Sequence, residues 1–93
     1  MKTKFAGFLG AIFFMASPVF AAMSFDDLQS VTKLAYDDFA VTNAEHVQHF
    51  TGFKTWISGD DGKVKIYVNH DGMNMEFNYT CHHHDTGLEC HAQ

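Results

Sequence analysis

Arginine is absent from this chain of 93 residues, and six lysines face eleven aspartates and glutamates, for a formal net charge of −5 with histidine neutral. All eleven acids follow Ala22, where only Lys33, Lys54, Lys63 and Lys65 oppose them. Nucleic acids and anionic membrane surfaces are bound through clustered positive charge, so this balance speaks against both as partners.

Cysteine occurs only twice, at Cys81 and Cys90. The close C-x₂₋₄-C pairs of structural zinc sites and the C-x-x-C of redox centres are therefore both missing. There is no H-E-x-x-H helix, no glycine-rich phosphate loop and no Ser/His/Asp order. Asp26-Asp27 and Asp37-Asp38 are adjacent on a helix, where neighbours do not share a face, so neither pair suits general acid/base work. No catalytic residue is assigned, and the chain reads as non-enzymatic.

Proline appears once, at Pro18, and no apolar run reaches the roughly 20 residues of a membrane-spanning helix. The longest run, Phe5 to Ala16, follows Lys2 and Lys4 and is closed by Ser17-Pro18-Val19-Phe20-Ala21-Ala22. A charged start, an apolar centre and small residues at the end predict a secretory signal peptide over 1–21, cut after Ala21. Residues 22–93 then form a single small domain in the periplasm or outside the cell, with no membrane anchor after processing. A domain of that size is near the limit at which a hydrophobic core suffices by itself.

Ser24 is a good N-cap, Asp26 and Asp27 favour a helix N-terminus, and Phe25, Leu28, Val31, Ala35 and Phe39 recur at helical spacing. One N-terminal amphipathic helix is predicted from about Phe25 to Ala40. Glu45 to Thr51 is ambiguous between a helical turn and an irregular lead-in. Beyond Gly52 the apolar period becomes two. Turn signals at Gly59-Asp60-Asp61-Gly62, Asp71-Gly72 and Asp85-Thr86-Gly87 divide the remainder into four antiparallel strands, near Phe53–Ser58, Lys63–Asn69, Met73–His83 and Leu88–His91. The fold class is α+β, a helix on a four-stranded antiparallel meander.

Two-residue turns at Asp61-Gly62, Asp71-Gly72 and Asp85-Thr86 set Ile57 against Ile66, Val68 against Met75 and Cys81 against Cys90. One face then collects Phe53, Ile57, Val64, Ile66, Val68, Met73, Met75, Phe77, Tyr79, Cys81, Leu88 and Cys90, ready to be covered by the helix. Cysteines facing each other in a hairpin of an exported chain predict one disulfide, Cys81–Cys90.

The chain holds seven histidines, four of them beside those cysteines. Residues two apart on a strand share a face, so His82 and His84 project together, with Glu89 and His91 across from them. Three imidazoles and a carboxylate suit Zn, Cu(II) or Ni(II), and His82, His84, His91 and Glu89 form the candidate metal site of a binding protein. A weaker second site, His70 with Met73 and Met75, would favour Cu(I). The alternative function is an envelope protein-interaction or enzyme-inhibitor module. It would use Trp56 and Tyr67, placed opposite each other on the outer sheet face, to bind a protein partner.

Overall fold

The computed structural model describes residues 22–93, and the expected signal peptide lies outside them. Helix α1 runs Phe25–Thr42, a 3₁₀ helix Ala44–His49, and strands β1 to β4 occupy Phe50–Ser58, Asp61–His70, Met73–His84 and Gly87–Ala92. The strands form one antiparallel sheet in the order β1-β2-β3-β4, with α1 packed on one face. Among the described residues no helix is long and apolar enough to cross a membrane.

Helix α1 starts on a capping box. The Asp27 backbone N–H donates to Ser24 Oγ at 3.1 Å and the Ser24 N–H donates to Asp27 Oδ2 at 2.9 Å, which satisfies two donors that a helix start otherwise leaves open. Val31, Ala35 and Phe39, at four-residue spacing, are the buried stripe of the helix. Phe25, expected on that stripe, is 73% exposed, and its place against the sheet is taken by Met23, just before the cap. Met23 and Leu28 straddle the capping box and meet over the same point of β2, the arrangement of a hydrophobic staple. The ambiguous segment after α1 is the 3₁₀ helix, and β1 begins three residues earlier than the alternation predicts.

Two hairpins follow the expected register: Val68 pairs with Met75, Ile66 with Phe77, Val64 with Tyr79, and Cys81 with Cys90. At the β2–β3 turn Asp71 and Gly72 both have positive φ, 55° and 82°, as a type I′ turn requires. The β1–β2 hairpin differs. Its turn is Gly59-Asp60, so Phe53 faces Ile66 and Ile57 faces Gly62, four residues from the expected pairing. Gly59, with φ of 64°, takes the left-handed position of the turn. Gly62 is used for close packing instead: a Cβ there would lie 3.3 Å from Leu28 Cδ2 and 3.3 Å from Val31 Cγ2. Because the displacement is even, every β1 side chain stays on its expected face.

The core is Met23, Val31, Ala35 and Phe39 against Val64, Ile66 and Val68 of β2 and Tyr79 and Cys81 of β3. Met75, Phe77, Leu88 and Cys90 complete it at the edges. Phe53 and Ile57 on the edge strand β1, and Met73 at the turn end of β3, were expected under the helix but are exposed, because a single helix covers neither the full width nor the full length of four strands. Cys81 and Cys90 form a disulfide that ties β3 to the edge strand β4. Closing so short a loop stabilises a fold by roughly 2–3 kcal/mol in the chain-entropy model, a large share of a small domain's margin.

Candidate metal centre

The β3–β4 ladder pairs His82 with Glu89, His84 with Gly87 and Thr80 with His91. Strand alternation turns His82, His84, Glu89 and His91 to the face opposite the helix, and their ligand-type atoms all lie within 4.8 Å of one another. His82 and Glu89 are half-buried, His84 and His91 exposed. Ring centroids are 4.7 Å apart for His82 and His84 and 5.0 Å for His82 and His91. Glu89 Oε1 sits between the outer two imidazoles, 3.6 Å from His84 Nε2 and 3.3 Å from His91 Nε2.

Donors about 2.1 Å from a tetrahedral ion stand about 3.4 Å from each other, so closing this group on an ion takes side-chain rotations and no strand movement. His82 Nδ1 lies 3.4 Å from the His83 carbonyl oxygen. In the tautomer that donates there, Nε2 keeps the lone pair a metal needs. Neither sulfur competes for the ion, since both cysteines are in the disulfide. The group can therefore offer three nitrogens and one carboxylate oxygen from two adjacent strands.

His83 lies between two members of the group in sequence but points the other way. Its Nε2 is 3.1 Å from Asp27 Oδ2 at the start of α1, a contact across 56 positions. Asp27's carboxyl is held below the ordinary carboxylate range by the Ser24 backbone N–H above all, against some burial, with the Ser24 hydroxyl and His83 adding to the lowering. The alternation of this histidine run thus splits it into a site-facing pair and a structural link to the helix.

In the second proposed site His70 pairs with Met73 and Val68 with Met75, as the sequence predicts. His70 also stacks on His49 of the 3₁₀ helix with ring centroids 4.1 Å apart, and His46 lies 6.0 Å from it. Met73 is 65% exposed, while Met75 packs against the core. His46 Nδ1 is buried without a hydrogen-bond partner, its ring 5.7 Å from that of Phe77. His46 and His49 were not singled out from the sequence, although their spacing carries the signal, because side chains three apart on a 3₁₀ helix eclipse each other.

Trp56 and Tyr67 share the outer face but do not oppose each other. Trp56 pairs with Lys63, and Tyr67 pairs with Gly52 on one side and Glu76 on the other. The Lys54 ammonium lies 5.0 Å from the Trp56 ring centroid. The displaced β1 register therefore dissolves the expected aromatic pair.

No family model matches the chain, and neither the curated proteins nor the solved structures include a significant match to it.

Proposed function

We propose that this chain is an exported, non-enzymatic protein that binds a transition metal, Zn(II), Cu(II) or Ni(II), through His82, His84, His91 and Glu89. The observation that carries the proposal is the convergence of these four side chains to within 4.8 Å on one sheet face. Imidazole suits these metals, and the carboxylate offsets one unit of their charge. The apolar segment at the start of the sequence supports export, and a disulfide suits an oxidising compartment. Two of the four ligands are exposed, so an ion held here exchanges readily with solvent and partner ligands. That openness suits a carrier or buffer.

Titration calorimetry of the oxidised chain with each metal is the test. One equivalent should bind more tightly than about 0.1 mM, and binding should be lost in the His82→Ala/His84→Ala/His91→Ala variant. Failure of all three metals to bind more tightly than about 0.1 mM would overturn the proposal.

A further inference from the structure

We infer that the Cys81–Cys90 disulfide sets the affinity of the histidine site, so that the oxidised chain holds its ion and the reduced chain lets it go. This rests on the metal-binding reading of the site. The ligands divide evenly between two strands, His82 and His84 on β3, Glu89 and His91 on β4. The row that pairs Cys81 with Cys90 lies between the row of Thr80 and His91 and the row of His82 and Glu89. The bond therefore joins the strands between two rows that carry ligands, on the face the ligands do not use.

β4 has six residues and only β3 beside it. Apart from the ladder and the disulfide, it is held by Leu88 and Cys90 against the core, and Gln93 just beyond it is tied to β3 by its N–H donating to the Asn78 carbonyl at 2.8 Å and by the Thr80 hydroxyl donating to its Oε1 at 3.0 Å. Short edge strands open at low cost, and opening this one separates Glu89 and His91 from His82 and His84. A metal that requires ligands from both strands must then supply the ordering the disulfide supplies in the oxidised chain.

Cys81 is fully buried and Cys90 half-buried, so Cys90 is the more exposed end of the bond and the one at which a dithiol reductant is expected to attack. Its thiolate attacks that sulfur, the S–S bond breaks and Cys81 leaves as a thiolate that takes a proton. The reductant's second thiol resolves the mixed disulfide, so two electrons and two protons pass to the protein and the reductant departs as a disulfide. Cys90 Sγ lies 3.4 Å from the Val31 carbonyl oxygen, an acceptor in place for the new thiol.

Zinc is the appropriate probe, because it does not oxidise thiols. Its affinity should be measured for the full chain oxidised, for the chain reduced with a phosphine, and for Cys81→Ala/Cys90→Ala. The expected result is binding weaker by roughly ten- to hundredfold in the last two. If the double variant does not fold, the wild type decides alone: saturating zinc should shift its disulfide–dithiol equilibrium in a thiol redox buffer toward the disulfide by the same factor. Equal affinity of oxidised and reduced chains overturns the inference, as does tighter binding by the reduced chain through its thiolates. Absence of zinc binding in both forms overturns the inference, and absence of Cu(II) and Ni(II) binding as well overturns the metal-binding reading itself.

Discussion

The Tyr79 hydroxyl, at the centre of the sheet, donates a 2.8 Å hydrogen bond to Asp38 Oδ2 on α1. Burial, and then this carboxylate, push the phenol up to about 12. An unfolded tyrosine loses its proton near pH 10, so the folded chain holds that proton more tightly than the unfolded one. The resulting stabilisation is complete below about pH 10 and is lost as the pH rises toward about 12. Tyr79→Phe should lose about 1 kcal/mol at pH 7 and show a shallower fall in stability above pH 10. Urea unfolding at a series of pH values measures both, and an unchanged alkaline slope would refute the assignment.

On the acid side the relevant group is Asp27, held by Ser24 above all and also by His83. Because the Asp27 carboxyl is lowered in the folded chain, its contribution is present above the ordinary carboxylate range and is lost as pH falls through its folded value. Asp27→Asn should therefore be less stable than wild type at pH 6, and the two should converge as the pH falls below the ordinary carboxylate range. Thermal melts across that range provide the comparison.

Gly62 and Gly52 make a contrast within one hairpin. A Cβ at Gly62 meets Leu28 and Val31 at 3.3 Å, whereas one at Gly52 meets nothing within 4 Å. Gly62→Val should cost about 2 kcal/mol by overpacking, and Gly52→Val should be close to neutral. Equal midpoints in denaturant for the two variants would show that the helix does not press on β2 at Gly62.

Within the histidine run, neighbouring positions should differ sharply. His84→Ala removes a member of the metal group, while His83→Ala removes only the contact to Asp27. Zinc affinity should fall about tenfold or more in the first and hold within about twofold in the second. Affinity in the wild type should also decline from pH 7.5 to pH 5.5, because protons compete for the imidazole lone pairs. Calorimetry at the two pH values measures each effect.

The placement of the four-residue candidate metal group was legible because it depends on strand parity and on one turn. Asp85-Thr86 sets Cys81 against Cys90, and His82, His84, Glu89 and His91 then fall together. The β1–β2 pairing was not legible for a specific reason. Gly59-Asp60-Asp61-Gly62 contains two turns that give the same face to every residue, so hydrophobic alternation does not distinguish them. The choice is made by the approach of α1 to Gly62, which is a tertiary contact. The stacking of His49 on His70 was hidden for the same kind of reason, since it depends on where the 3₁₀ helix settles on the sheet. The exposure of Phe53 and Ile57 follows from the breadth of one helix relative to four strands, which no local pattern records.

Trp56, the chain's only tryptophan, pairs with Lys63, Lys63 with Thr80, and Thr80 with His91. Three strand spacings therefore separate the indole from a proposed ligand on the same face, about 14 Å. That is short enough for a paramagnetic ion such as Cu(II) to quench its emission. The register that parts Trp56 from Tyr67 leaves the protein with a built-in optical probe, so occupancy of the histidine site can be followed by fluorescence without attaching a label.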